Sequence, residues 1–163
     1  MGNEQDFTMK KGDKKIKYRK AIFGVAYSVN KKGDIEYVML KRKKHWKGWE
    51  FPKGKIERFE FKRHTAKREV EEETGLKVLK IKRFHIDGLY RYKKKLKDRP
   101  GVIGQTYHLF AVKVDKRNGK IKVDDKEHSY GKWVSYGKAM KLLTWADQKK
   151  CLKIVNDWLN KKK

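Results

Sequence analysis

In the stretch KREVEEETGL, residues 67–76, four glutamates fall in five consecutive positions: Glu69, Glu71, Glu72 and Glu73. On a helix at about 100° per residue, Glu69, Glu72 and Glu73 share one arc of about 100°, while Glu71 points elsewhere, toward solvent. The arrangement opposes itself. Like charges at i and i+4 repel, and carboxylates in a last turn meet the negative end of the helix dipole. Positive charge must compensate. Surface lysines would serve if this is an ordinary solvated face. Three converging carboxylates also offer hard oxygen ligands for Mg²⁺ or Mn²⁺, with substrate phosphates completing the shell.

The elements that must carry this cluster are readable from pattern. AIFGVAYSV (21–29) and IEYVMLKR (35–42) are rich in β-branched and aromatic residues, and NKKGD between them has hairpin-turn chemistry. Residues 43–62 read as an irregular aromatic loop holding Trp46, Trp49, Phe51 and Pro52. It delivers into a helix over Lys62–Thr74 that Gly75 stops. Two long strands follow, 78–92 and 102–114, separated by the basic stretch KKKLKDRPG. KWVSYG (132–137) reads as a short strand or turn before a helix near 138–143, and an amphipathic helix over 145–160 closes the chain. Strand pairs interleaved with helices predict an α/β protein with a mixed sheet covered by helices.

A length of 163 residues predicts one domain over 19–160, preceded by a flexible basic arm (1–18) and followed by a basic tail (161–163). With 46 basic and 20 acidic residues the net charge is +26, which attracts polyanions such as nucleotides or RNA. Scattered lysine arising from compositional bias accounts for the same number. The single cysteine, Cys151, excludes an internal disulfide framework and lies at helical spacing with Leu152, Val155 and Leu159, as a small core residue would. No apolar run approaches the roughly 20 residues that span a bilayer, and the N-terminus has no apolar signal core, so a cytoplasmic protein is expected.

Spacing gives the cluster a context. From Gly54 there are five residues to Glu60, then seven to Arg68, Glu69 and Val70, one to Glu72 and Glu73, and one to Gly75 and Leu76. Every specified position of the Nudix box GX5EX7REUXEEXGU is met, and the chain therefore resembles the Nudix hydrolase family. The lead-in Trp49, Phe51, Pro52, Lys53, and Glu127 followed by Trp133 and Val134, extend the likeness over residues 20–145. One departure stands out: Phe59 precedes Glu60, where the family often has glycine.

The resemblance implies a Nudix fold, an α/β/α sandwich around a mixed sheet, and metal-dependent hydrolysis of a nucleoside diphosphate linkage. Carried over, Glu69, Glu72 and Glu73 would bind the divalent metal (Mg²⁺ or Mn²⁺), with a main-chain carbonyl of Lys53 or Gly54. Glu60 and Arg68 would form an ion pair that orients the carboxylates. Glu127 would add a metal ligand or base from a mobile loop. Metal-activated water would attack a bridging diphosphate, with Glu72, Glu73 or Glu127 taking its proton. Lys53 and Lys55 would hold phosphate oxygens, and His128 would lie near substrate. The other histidines form no zinc motif.

Substrate choice has fewer handles. Tyr90 and Tyr92 stand about where dinucleoside polyphosphate hydrolases of the family carry a tyrosine, and an aromatic face there would stack a base. GQTYHLF (104–110) resembles a strand shared by those enzymes and bacterial RNA 5′-pyrophosphohydrolases. Diadenosine tetraphosphate or a related dinucleoside polyphosphate is the first expectation and an RNA 5′ end the second. ADP-ribose, a nucleoside triphosphate, or a non-enzymatic RNA-binding module stand as alternatives.

Overall fold

The computed structural model describes residues 17–117 and 120–162. Apart from Lys17 and Tyr18, the expected N-terminal arm lies outside the described residues, as does Lys163.

Strand β1 (Lys17–Val29) is the spine of the sheet. It pairs antiparallel with β2 (Ile35–Arg42) on one side and parallel with β6 (Val102–Val114) on the other, and β6 pairs antiparallel with β5 (Val78–Arg91). Two short strands occupy the segment expected to be irregular: β3 (Gly48–Glu50) pairs with β2, and β4 (Lys53–Lys55) pairs with β1. Their brevity hides them from pattern reading, since three residues cannot display a period. β7 (His128–Val134) pairs with β2 and starts four residues before the expected strand. The sheet is therefore mixed and seven-stranded, its central order β3-β2-β1-β6-β5.

Period-two alternation along β1 divides the core. Phe23, Val25 and Tyr27 face α2 (Tyr136–Leu142) and α3 (Ala146–Lys161), where Cys151, Leu152 and Val155 complete one cluster. Ile22 and Ala26 face α1 (Lys62–Thr74), whose Ala66 and Val70 anchor the other. This is an α/β/α sandwich, and Cys151 is a buried core residue as expected. Among the described residues no helix is long and apolar enough to cross a membrane.

Helix α1 carries the glutamates and ends at Gly75, whose φ of 69° is left-handed and whose N–H donates to the Glu71 carbonyl. Glu71 does not simply face solvent: its carboxylate accepts the Val78 N–H at 3.1 Å and pairs with Lys67 at 3.5 Å, tying the helix end to the start of β5.

Candidate active site

The loop after β4 sets the helix that bears the carboxylates. Arg68 grips Glu60 through Nε at 2.8 Å and Nη2 at 2.9 Å, a fork that fixes both planes. Thr65 and the Glu57 N–H also donate to Glu60, and with Arg68 as the largest cause these bonds hold its pKa at about 2. Arg68 then reaches Glu69 at 2.8 Å, Glu72 at 3.4 Å and the Lys55 carbonyl at 3.1 Å. One guanidinium thus ties the loop to two of the expected ligands.

Phe59 explains the departure from the family pattern. Its φ is 64°, the left-handed region that glycine enters freely, and its ring is 90% exposed with the Arg58 guanidinium 5.0 Å from its centre. The turn keeps the glycine conformation with a bulky residue in it, and Glu60 still meets Arg68.

The expected ligands are not equivalent. Glu73 is 3% exposed, and its Oε2 accepts the Lys53 N–H at 3.1 Å while its Oε1 is buried with no partner among the described residues. Burial, reinforced by Glu69, Glu50 and Glu127, pushes its pKa well above the carboxylate range. Glu69 is raised to about 7, chiefly by burial, with Arg68 opposing and Glu72 and Glu127 adding repulsion. Glu72 stands apart at 56% exposed, and among the described residues its carboxylate is held by the long contact to Arg68 at 3.4 Å. Among the described residues Glu73, Glu127 and His128 form a potential ligand group, with one donor atom from each within 4.8 Å of the others.

Glu127 lies at the end of a hydrogen-bonded turn begun by Asp124, and its own carbonyl accepts the Lys43 N–H at 2.9 Å. Its carboxylate pairs with Arg42 at 3.2 Å. His128, expected beside substrate, is fully buried, with Nε2 at 2.9 Å from Glu50 and Nδ1 without a partner among the described residues. Because β7 pairs with β2, its first residue turns into the core under the site.

Glu50 and Arg42 were not singled out by sequence reasoning. Glu50 is 0% exposed and contacts Arg42 at 3.2 Å, Lys53 Nζ at 3.0 Å and His128 at 2.9 Å. Burial disfavours its charge, but Lys53, the His128 hydrogen bond and Arg42 outweigh that and hold it at about 2. The signals were faint. A charged residue stood between aromatic Trp49 and Phe51, and alternation placed Arg42 on the face of Val38 and Leu40.

Gly54 touches Glu69: an added Cβ would lie 2.0 Å from Glu69 Cδ. In front of this wall opens a cavity of about 530 Å³ that Glu69, Glu127, Lys53, Tyr90, Trp46 and Trp145 help to line. Lys53 Nζ lies 3.4 Å from the Tyr90 hydroxyl, and its ammonium sits 5.8 Å from the Trp46 ring centre. Trp46 meets Trp145 edge-on at 5.3 Å. Tyr92 also lines the cavity, whereas Lys55 is exposed and contributes its carbonyl to Arg68. Acidic, cationic and aromatic groups thus share one cleft, as a nucleotide with its phosphates requires.

The chain belongs to the Nudix family: the NUDIX domain matches residues 17–153. It is similar to an RNA pyrophosphohydrolase from a Nitratiruptor species, 32% identical over 126 residues that cover 75% of this chain and 81% of that enzyme. An 8-oxo-dGTP diphosphatase from Buchnera aphidicola subsp. Acyrthosiphon pisum is 42% identical over 82 residues, covering 43% of this chain and 66% of that enzyme. The fold matches a C. elegans Ap4A hydrolase binary complex with a TM-score of 0.70 at 21% identity, over 87% of this chain and 98% of that one. Family and relatives together make this chain a Nudix hydrolase.

Proposed function

We propose that the cavity hydrolyses a phosphoanhydride of a dinucleoside polyphosphate, diadenosine tetraphosphate or a close relative, with a divalent cation held by Glu69, Glu73 and Glu127. The observation that carries this reading is the shared cleft. Glu69 and Glu127 line one 530 Å³ cavity together with Lys53, Trp46, Trp145 and Tyr90.

The residues fit a cation on their own terms. Among the described residues Glu73 Oε1 is buried and unpartnered, and the Glu127 charge disfavours ionisation of both Glu69 and Glu73, with Glu69 adding to the cost at Glu73. A hard divalent ion such as Mg²⁺ relieves that repulsion, and when bound it supplies charge that screens phosphate oxygens and acidifies water. Glu72 takes a peripheral place in this reading, and the Gly54 carbonyl completes the oxygen set. Arg68 keeps Glu69 oriented through its bond at 2.8 Å, and Glu60 keeps Arg68 in place. Glu127, part-exposed at the cavity wall, accepts the proton of the attacking water. Lys53, charged because Glu50 and Tyr90 outweigh its burial, faces the phosphate oxygens. Tyr90 and the Trp46–Trp145 pair offer two aromatic walls, one for each base of a dinucleotide.

An RNA 5′ end is the second reading, favoured by the likeness to an RNA pyrophosphohydrolase over 81% of that enzyme. Phosphate-product release from diadenosine tetraphosphate, 5′-triphosphate RNA, ADP-ribose and nucleoside triphosphates, each with Mg²⁺ and with EDTA, decides between them. Preference for diadenosine tetraphosphate supports the first reading. Preference for the RNA transfers the site to the second, and no turnover with tight, salt-sensitive RNA binding would leave a binding module.

A further inference from the structure

Two arginines that act on each other electrostatically line the same cavity. Arg19 lies near the start of β1 and is paired with Gln105 in the β1–β6 ladder, and Arg99 comes from the segment between β5 and β6. Both line the cavity that Glu69 and Glu127 also line. Among the described residues neither has a carboxylate within ion-pair distance. Asp98, next to Arg99 in sequence, is committed elsewhere, to His45 at 3.0 Å and Lys44 at 3.5 Å.

Arg19 is costly as it stands. Among the described residues its Nε is buried with no hydrogen-bond partner, and burial followed by repulsion from Arg99 lowers its pKa from the ordinary arginine value. Arg99 is fixed by a different group: its Nη1 donates to the Tyr92 hydroxyl at 2.7 Å, its guanidinium lies 5.7 Å from the Tyr92 ring centre, and that hydroxyl in turn donates to Gln105 at 3.2 Å. Tyr92 and Gln105 thereby hold one guanidinium in place without neutralising it. Two like charges kept in one cavity, one with an unused donor, form a receptor for an anion with several acceptor oxygens.

We propose that Arg19 and Arg99 form a second anion subsite, which binds a phosphate group of the substrate separated from the anhydride that is cleaved. This rests on the reading of the cavity as a nucleotide site and extends it. Glu127, which lines the cavity with both arginines, acts electrostatically on both Arg19 and Glu73, so the arginine pair lies within reach of the acidic cluster. Two sources present such a phosphate: the far end of a chain of four phosphates, or the first phosphodiester of an RNA strand. A nucleoside monophosphate presents neither.

The test is binding without turnover. Calorimetry in EDTA with the full chain measures AMP, adenosine 5′-tetraphosphate and the 5′-phosphorylated dinucleotide pApA against wild type and Arg19→Gln/Arg99→Gln. The expected result is at least tenfold weaker binding of one of the two longer probes, with AMP changed less than twofold. Loss on the tetraphosphate assigns the subsite to a phosphate chain, and loss on pApA assigns it to a phosphodiester. Arg19→Lys/Arg99→Lys, which keeps the charge without the fork, is expected to fall between wild type and the glutamine variant. Should the double glutamine variant fail to fold, Arg99→Gln alone is expected to weaken the same probe at least threefold. Unchanged affinity for both longer probes, an equal loss on AMP, or no binding of either probe by wild type overturns the proposal. Wild-type turnover, measured separately with Mg²⁺, reports on the hydrolase reading and not on the subsite.

Discussion

Gly54 and Glu69 are in direct contact, so close that a Cβ on Gly54 would stand 2.0 Å from the Glu69 carboxyl carbon and 2.4 Å from its Oε1. The glycine is required by this approach, because β4 lies against α1 at the position where Arg68 holds Glu69. Gly54→Ala is expected to displace Glu69 and lower kcat by about 100-fold, the cost typical of a shift of about 1 Å at a reacting centre. Steady-state kinetics check it, with an unchanged circular dichroism spectrum showing that the fold persists.

Protons and cations compete for Glu69 and Glu73. Glu69, raised to about 7, binds a proton in the folded state that the unfolded chain has already released above its usual pKa near 4.3. In the metal-free protein this contribution lowers stability as pH rises from about 4.5 to 7 and is constant above. Mg²⁺ or Mn²⁺ is therefore expected to raise the Tm more at pH 8 than at pH 6. In Glu73→Gln the metal-induced shift should largely vanish. Thermal melts with and without EDTA at the two pH values read both effects.

Glu50 has the opposite sign. Held at about 2 against its unfolded value, it contributes stability that is present above about pH 4.5 and is lost as pH falls toward 2. Glu50→Gln leaves Arg42 and Lys53 without their shared counter-charge and is expected to destabilise by about 3–5 kcal/mol. Urea unfolding at pH 7 measures the loss, and the acid limb of the stability curve should flatten in the variant.

How much of this was legible in the sequence follows the length of each signal. Helix α1 and strands β2 and β6 were readable to their ends, because their periods run over 8 to 13 residues. The box located Gly54, Glu60, Arg68 and the glutamates by spacing alone. Glu72's separation from the others was not readable, since helical angle places it with Glu69 and Glu73 and only the packing of β4 against α1 distinguishes them. Glu50, Arg42 and Arg19 were missed because their roles come from partners distant in sequence: Glu50 meets His128 across 78 positions and Arg42 meets Glu127 across 85. The burial of His128 was unreadable for a related reason, since β7 begins at it and its ring meets Glu50 in the core.

Phe59 offers a prediction about the turn itself. An L-residue in the left-handed region costs about 1–2 kcal/mol, partly offset in glycine by the entropy it loses on folding. Phe59→Gly is expected to stabilise the protein by about 0.5–1 kcal/mol, while Phe59→Ala, which keeps the β-carbon at φ 64°, should not. Differential scanning calorimetry of the two variants separates backbone strain from the exposed ring.

The most direct test is Mg²⁺-dependent cleavage of diadenosine tetraphosphate by wild type and by Glu73→Gln, followed by product chromatography. Wild type should release nucleotide products only when the cation is present, and Glu73→Gln should be slower by about 1,000-fold through loss of the buried carboxylate. Turnover by Glu73→Gln within twofold of wild type, or wild-type turnover that persists in EDTA, would contradict the assignment of the acidic cluster as the catalytic centre.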